Sequence, residues 1–273
     1  MKRISLILLA VFGLFLVQCG SQTDDQPPSG DDDGGTGVDR TGNLLAIGDS
    51  ARDILSNDNF DRILIEIAYV NGFRPSSISI DNFRDYLVQH SFKTRENIVV
   101  EYHQVDPPTE TELSFQQVAD IEAEVRQNYN DGNTLAIFIY FTGASSENDD
   151  LNEGLVTLGA VYRNTSMVIF EGTVRLLASQ DAAITVTDVE TATINHEFGH
   201  LFGLVNLGTT PVNDHEDPNA SNHCSVNGCL MRAELEFGGG MMKALSARAS
   251  KGMAIVPVLD SDCRLDLQNN GGR

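Results

Sequence analysis

The sequence predicts an α/β fold of the α+β kind, with a twisted and mostly parallel sheet packed on helices. Dense apolar runs alternate along the chain with helical patterns, and helical crossovers of this sort join parallel strands. The chain has 273 residues and is 41% hydrophobic, which is enough for one sizeable core. No repeat or second domain is evident, so we expect one folded domain over residues 44–273.

The strands are predicted from runs rich in β-branched and aromatic residues. Three runs are dense and apolar: Arg62–Val70, Asn97–Val105 and Thr134–Phe141. Two later apolar runs, Leu155–Tyr162 and Ser166–Leu177, flank a turn-like segment and are interpreted as further strands. One of these two is expected to be an antiparallel edge strand.

Helices are predicted between these strands from apolar residues that fall on one stripe. The segments are Ile78–Gln89 and Ser114–Tyr129, the second of which begins with a capping box formed by Ser114 and Gln117. A third helix is expected to open at a capping box over 187–190 and to run to about Phe202.

The first residues predict export and lipid attachment. Lys2 and Arg3 precede an apolar run over 4–17 that is too short for a confident membrane span. The run ends at Leu16-Val17-Gln18-Cys19, which resembles a lipobox, although Gln18 replaces the usual small residue. Residues 1–18 are therefore expected to be a signal peptide, and lipidated Cys19 to anchor an extracytoplasmic lipoprotein in a membrane.

Residues 19–43 are predicted to be a flexible tether, because Gly, Asp, Pro, Ser and Thr dominate and little apolar surface is available to bury. Loss of Lys2 and Arg3 with the signal would change the formal net charge from −21 to −23. A chain this acidic is unsuited to binding a phosphate backbone, so nucleic acid is not an expected partner.

The third predicted helix contains His196-Glu197-Phe198-Gly199-His200, an H-E-x-x-H pattern. Histidines four residues apart lie on one side of a helix and can share a metal ion. Zinc (Zn²⁺) suits neutral imidazole, and a catalytic zinc site has three protein ligands and one position open to water. The pattern therefore predicts a zinc cofactor on His196 and His200, with Glu197 as the general base.

The residues that follow resemble the metzincin pattern H-E-x-x-H-x-x-G-x-x-H/D, since Gly203 occupies the glycine position. The chain departs from the pattern at Asn206, where metzincins have the third zinc ligand. Further on, the segment from His223 to Met231 resembles the archaemetzincin continuation H-C-x4-C-x-M, as if residues 206–222 were inserted.

This resemblance implies a metzincin-like fold in which an active-site helix packs on the sheet and an irregular C-terminal subdomain follows. It also implies that His223 is the third zinc ligand and that Met231 is the Met-turn residue beneath the metal. His215 remains a competing third ligand that a shorter loop would supply, although its acidic neighbours also fit a solvated loop.

The cysteines leave two interpretations open. Outside the cytoplasm, a disulfide between Cys224 and Cys229 is the simplest pairing. Archaemetzincins instead use their cysteines to bind a second zinc ion. In this chain Cys263 is the only cysteine downstream of Cys229. A zinc site on Cys224, Cys229 and Cys263 would therefore lack a fourth ligand.

The combined prediction is a lipid-anchored zinc metallopeptidase that hydrolyses a protein or peptide substrate. By analogy with metzincins, an edge strand near Ser166–Gly172 would hold the extended substrate. Hydrolysis of another amide by the same site is a second hypothesis. The alternative without catalysis is a lipoprotein adhesin or binding module whose zinc is structural, against which Glu197 argues because a structural site needs no base.

Overall fold

The computed structural model describes residues 37–150 and 155–273, and its centre is a five-stranded sheet in the order β2-β1-β4-β7-β6. The first four of these strands are parallel, and β6 pairs antiparallel with β7 at one edge. The predicted mixed α/β fold with a mostly parallel sheet is therefore confirmed. The sheet strands are β1 (Arg62–Val70), β2 (Ile98–Val105), β4 (Thr134–Thr142), β6 (Gly159–Arg163) and β7 (Ser166–Phe170).

Seven α-helices surround the sheet in the described part of the chain, and short strands form two small ribbons. The helices are α1 (Ala51–Leu55), α2 (Ser77–His90), α3 (Phe115–Val125), α4 (Glu171–Ala178), α5 (Val186–Leu201), α6 (Gly238–Ser250) and α7 (Ser261–Asn269). The ribbons pair β3 (Glu112–Leu113) with β5 (Ser145–Ser146), and β8 (Glu216–Asp217) with β9 (Ala220–Cys224). None of the helices in 37–150 and 155–273 has the length and apolar character needed to span a bilayer.

Strand β4 is buried on both faces, as is typical of a strand with a continuous apolar run. Alternate residues of β4 point to opposite faces. Ile137 and Ile139 join the main core, which includes residues of α2 and α5, whereas Phe138 and Tyr140 join a smaller core with α3. The sheet is thus covered on each side, and α5 is held in the larger core.

Two of the predicted strand assignments need correction. Ser166–Leu177 is not one strand, because β7 ends at Phe170 and α4 begins at Glu171. The edge strand is also not the one expected near Ser166–Gly172, since β7 lies between β4 and β6. An apolar run of this length is compatible with one long strand and also with a buried strand followed by a helix. The periodicity alone did not separate these two possibilities.

Helix α5 carries the H-E-x-x-H pattern and is buried from Val189 to Leu201. Its N-terminal capping box is formed by Thr185 and Asp188, two residues before the predicted one. A Ser/Thr side chain and an acidic side chain three residues later satisfy each other's backbone N–H groups in either register. The structure selects Thr185 because its backbone is extended at the position where the helix begins.

The folded body begins slightly before the predicted domain boundary at residue 44. A 3-10 helix spans Thr41–Asn43, and Asn43 is buried with its side chain bonded to the carbonyl oxygen of Ala136 at 3.0 Å and to the backbone N–H of Asn130 at 2.9 Å. Cys19, the predicted signal peptide and most of the predicted tether lie outside the described residues.

Candidate metal centres

Three histidine side chains converge at the C-terminal half of α5. His196 and His200 are on the helix, and His223 comes from β9, so that one metal-binding atom from each ring lies within 4.8 Å of the other two. All three residues are buried. The structure therefore brings together the three residues that the sequence proposed as ligands.

Hydrogen bonds on the far side of two of these rings fix which nitrogen faces the centre. Nδ1 of His196 lies 2.8 Å from the carbonyl oxygen of Leu230, and Nδ1 of His223 lies 2.9 Å from that of Ser221. Each Nδ1–H donates to its carbonyl oxygen, which leaves the lone pair on Nε2. Nε2 of His196 and Nδ1 of His200 have no hydrogen-bond partner, whereas Nε2 of His223 lies 3.1 Å from a carboxylate oxygen of Glu236.

The two helix histidines are held in the neutral form that metal binding requires. Burial lowers the pKa of His196 to about 4, with a smaller contribution from His223. Burial and the neighbouring histidines also lower the pKa of His200 well below its usual range. Three buried imidazoles whose ring nitrogens lie within 4.8 Å of one another are a donor set that suits zinc, so these residues fit a zinc ion.

Glu197 lies next to this centre and is 3% exposed. Burial, and secondarily the charge of Glu236, raises the pKa of Glu197 well above its usual value, while a hydrogen bond from the backbone of Val161 opposes this shift. Gly159 on β6 makes room for the side chain, because a β-carbon at Gly159 would lie 2.8 Å from Cγ of Glu197. The carboxyl group is therefore fixed between α5 and the edge strand.

The centre opens into a cleft of about 760 Å³. One wall is β6, represented by Ala160, Val161 and Tyr162, and Glu197 and His200 also line the cleft. Among the described residues β6 has a neighbouring strand in the main sheet on one side, namely β7. The cleft therefore runs beside the edge of the sheet that β6 forms. The sequence analysis expected this edge near Ser166–Gly172, which is one strand later in the chain.

Glu236 is a cleft residue that the sequence analysis did not single out. Its carboxylate lies 3.1 Å from Nε2 of His223, and about a third of its side chain is exposed (33%). Burial disfavours a charged His223, but the carboxylate outweighs this effect and raises the pKa of His223 above its usual value. No motif marks Glu236, because it follows Met231 by a spacing that carries no pattern.

Met231, which the Met-turn resemblance places beneath the metal, packs against Gly199 between the two helix histidines. It is fully buried, and a β-carbon at Gly199 would lie 2.1 Å from its sulfur atom.

Asn206, at the family's third-ligand position, does not join the histidines. Its side chain donates a short hydrogen bond to Glu216, and Glu216 accepts another from the backbone of Asn222 at 2.7 Å. Asn206 therefore anchors the hairpin that delivers His223.

A second group of side chains that could hold a metal ion includes residues of the segment around the β8–β9 hairpin. His215, Cys224, Asp260 and Cys263 each present one ligand atom within 4.8 Å of the others, and Cys229 joins them through a contact of 3.7 Å with the sulfur of Cys263. His215 and the three cysteines are buried. His215 is therefore neither a ligand of the first centre nor part of a solvated loop in this structure.

The predicted disulfide between Cys224 and Cys229 is not formed, since both are free cysteines in the structure, as is Cys263. The sulfur of Cys229 lies 3.7 Å from that of Cys263, while Cys224 and Cys263 share a cluster with His215 and Asp260. Hydrogen bonds from Cys229 and Cys263 lower the pKa of the Cys224 thiol below its usual value.

Comparison with known proteins gives a structural likeness but no sequence match. No protein-family profile matches the sequence, and no curated protein matches it. The fold is similar to the crystal structure of archaemetzincin from Methanopyrus kandleri, with 15% identity, a TM-score of 0.45, and coverage of 77% of this chain and 96% of that chain. An identity this low leaves the chemistry to be argued from this chain's own side chains.

Proposed function

We propose that this protein is a metzincin-like peptidase that hydrolyses peptide bonds with a zinc ion held by His196, His200 and His223. The observation that carries this proposal is the position of Glu197, whose buried carboxyl group lines the same cleft as the histidines. A structural zinc site closes with four protein ligands and has no use for a base. A hydrolytic zinc site needs ligands that leave one position of the metal open to a cleft, and a carboxyl group that can act as the base. The three imidazoles and Glu197 would supply these parts.

A zinc ion bound here would supply a Lewis acid that acidifies a water molecule and polarises the substrate carbonyl. Glu197 accepts the proton of that water and returns it to the leaving amine. The accepting form is the carboxylate, and the charge of a bound zinc ion would favour this form against the burial that raises the pKa of Glu197. A hydrogen bond from the backbone N–H of Val161 holds the carboxyl group of Glu197 during this exchange, and Gly159 leaves space for it because it has no side chain.

The substrate that fits this site is a peptide in an extended conformation. Strand β6 forms the edge of the sheet and one wall of the cleft, so a peptide can align along it by β-augmentation. This arrangement would present one peptide carbonyl to the histidine centre. Met231 supports the site from below as an apolar floor, and the contact between Met231 and Gly199 supports the metzincin-like assignment.

Zinc content and peptide hydrolysis, measured together, test the proposal. A quenched fluorescent peptide library should be cleaved by the wild-type protein, and cleavage should stop in Glu197→Gln while zinc content is retained. His223→Ala should lose both activity and the zinc of this centre. Glu147→Gln is a matched control, because Glu147 is exposed and does not line the cleft. Zinc binding without hydrolysis in the wild type would instead favour a binding module with a structural zinc.

We also propose, from the sequence alone, that Cys19 carries a lipid that holds the enzyme at a membrane outside the cytoplasm. The basic start, the short apolar run and the cysteine after it support this proposal. Metabolic labelling with an alkyne fatty acid should tag the wild type and leave Cys19→Ser untagged. Equal labelling of the two, or no labelling of either, would contradict it.

A further inference from the structure

We propose that Ile47 and Leu207 form a subsite that selects peptides with an apolar side chain on one side of the scissile bond. This inference rests on the proposed function, because it concerns the substrate of the same cleft. Both side chains line the cleft and are half-buried, and neither belongs to the two hydrophobic cores of the described chain. They therefore offer the cleft apolar surface that neither core uses, which is a feature of binding surfaces.

The segment that carries Ile47 continues the cleft wall beyond the end of β6. Strand β6 ends at Arg163, and the next residue, Asn164, is buried. The N–H of Leu45 donates to the side-chain oxygen of Asn164 at 3.0 Å, and the N–H of Asn164 donates to the carbonyl oxygen of Leu45 at 3.2 Å. The side-chain amide of Asn164 also donates to Oγ of Ser50 at 2.7 Å. One buried residue thus holds both ends of the segment beside the end of β6.

The same segment lies just past the metal-binding turn of α5. A β-carbon at Gly48 would lie 3.3 Å from Cα of Gly203, which is three residues beyond the second helix histidine. The proposed base is nearer the other end of the strand, because Glu197 faces Gly159 at the start of β6. The subsite is therefore displaced from the base toward the C-terminal ends of α5 and β6. A peptide that lies along β6 places its residues on one fixed side of the scissile bond there.

Close backbone contact holds the two segments of the subsite together. A β-carbon at Gly48 would lie 1.3 Å from the carbonyl oxygen of Leu207, and a β-carbon at Gly208 would lie 2.8 Å from the carbonyl oxygen of Gly48. These glycines have φ values of 83° and 121°, which other residues rarely adopt. The segments that carry Ile47 and Leu207 are thus in contact before a substrate binds, which lowers the ordering cost of binding.

A hydrogen-bonded turn places Ile47 beside the cleft. The N–H of Asp49 donates to the carbonyl oxygen of Ala46 at 3.1 Å, and the N–H of Ala46 donates to Oδ2 of Asp49 at 3.1 Å. Ile47 and Gly48 are the central residues of this turn. The two bonds close the turn at both of its ends, so the position of Ile47 is fixed by local structure.

The charges of the cleft also limit which side chains the subsite accepts. No lysine or arginine lines the cleft in the described part of the chain, whereas Asp49, Glu197 and Glu236 do. An acidic substrate side chain would therefore meet carboxyl groups without a compensating cation. Aliphatic and aromatic side chains are the class that the surface of Ile47 and Leu207 fits.

Both residues belong to segments that are particular to this chain. Ile47 comes shortly after the predicted tether of residues 19–43, and Leu207 lies within residues 206–222, which interrupt the metzincin motif. Neither residue is a metal ligand or the base of the proposed site. The two segments therefore add a selective wall to the hydrolytic centre.

Peptide binding to the zinc-loaded full chain with Glu197→Gln tests the subsite without hydrolysis. The probes are a fluorescent peptide of glycine and serine with one central leucine, and its alanine analogue. We expect the leucine peptide to bind about 10-fold more tightly, the scale for apolar groups in such pockets. A further Ile47→Ala change should remove most of this difference. Leu45→Ala is the matched control, because Leu45 is exposed on the same segment and does not line the cleft.

Cleavage of a peptide library by the wild type gives the second readout. Mass spectrometry of the fragments should show one position, on a single side of the scissile bond, that is enriched in leucine, isoleucine, methionine and phenylalanine. Leu207→Ala should weaken this enrichment. Ile47→Asp should change the enriched class at that position from apolar to basic, which a mere loosening of the fold would not do.

The outcomes separate this inference from the proposed function. Hydrolysis with the wild-type cleavage profile in Ile47→Asp and Leu207→Ala would overturn the subsite and leave the peptidase in place. Equal binding of the leucine and alanine peptides would also overturn the subsite. Preferential binding of the leucine peptide, together with a wild type that hydrolyses no peptide, would support the subsite and overturn the proposed function.

Discussion

Gly199 lies directly against Met231, so closely that a β-carbon at Gly199 would come within 2.1 Å of the methionine sulfur. Both residues are buried, and Gly199 is inside the H-E-x-x-H pattern between the two helix histidines. The second variable position of the H-E-x-x-H pattern therefore requires a glycine in this fold. A glycine at this position lets the methionine approach the backbone of α5 between His196 and His200.

We expect Gly199→Ala to destabilise the protein by about 1–3 kcal/mol, because the added methyl group overpacks the space filled by Met231. The loss should be smaller when Met231 is first changed to Ala, since the two residues are in contact and their effects are then not additive. Urea unfolding of the two single variants and the double variant measures this coupling. Additive losses would show that Met231 moves aside without cost.

A second glycine controls the position of the proposed base. A β-carbon at Gly159 would lie 2.8 Å from Cγ of Glu197 and 3.0 Å from Thr193. We expect Gly159→Ala to displace the carboxyl group and to lower kcat by roughly 100-fold, since small displacements of catalytic groups have effects of this size. Zinc content should stay at the wild-type value because none of the three histidines is touched. Loss of zinc would show that the substitution disturbs α5 rather than Glu197.

The sequence was most informative where one local pattern corresponds to one structure. Arg62–Val70 is a strand with the predicted bounds, and the capping box of Ser114 and Gln117 forms as expected. The run from Ser166 to Leu177 was less informative, because apolar residues satisfy a buried strand and the buried side of α4 equally well. The pair Glu171 and Arg175, four residues apart, was the available sign of a helix there.

The candidate site was predictable to the extent that its residues lie in one motif. The H-E-x-x-H helix could be read directly, and the archaemetzincin resemblance led to His223. The surroundings of His215 could not be predicted, since its partner Asp266 is 51 positions downstream and meets it only after α7 has packed. The same applies to Glu236, whose contact with His223 depends on the path of the chain after Met231.

Glu236 leads to a prediction about substrate choice. Its ion pair is with Nε2 of His223, the nitrogen expected to bind zinc, so metal binding leaves a carboxylate in the cleft without that partner. We expect the enzyme to prefer peptides with a positive charge near the scissile bond. The preference can be measured as kcat/KM for a lysine peptide divided by kcat/KM for its norleucine analogue. Glu236→Gln should reduce this ratio by about 10-fold, because one charge contact is lost.

Asp49→Asn is the matched control, because Asp49 also lines the cleft but has no contact with His223 in the structure. Peptides with free and acetylated N-termini separate an α-amino group from a basic side chain as the source of the charge. A wild-type enzyme that cleaves charged and neutral peptides equally would contradict the role of Glu236 and leave the hydrolytic site intact.

A buried carboxyl group outside the proposed catalytic centre leads to a prediction about pH. Glu171 is fully buried, and burial, followed by the adjacent charge of Glu190, raises its pKa to about 9 despite the opposing contact with Arg175. An unfolded chain would release this proton near pH 4.5. The folded state therefore holds a proton that the unfolded state lacks between these two values, and stability falls as the pH rises through this window.

We expect the urea midpoint of the wild type to decrease from pH 5.5 to pH 8.5, and Glu171→Gln to flatten this decrease, because glutamine stays neutral throughout. Saturating zinc in every sample keeps metal loading from contributing to the difference. Glu124→Gln, an exposed change on α3, should keep the wild-type slope. Since only the difference between variants is compared, other groups that titrate in this range cancel. Parallel slopes for wild type and Glu171→Gln would mean that Glu171 is ionised in the folded protein.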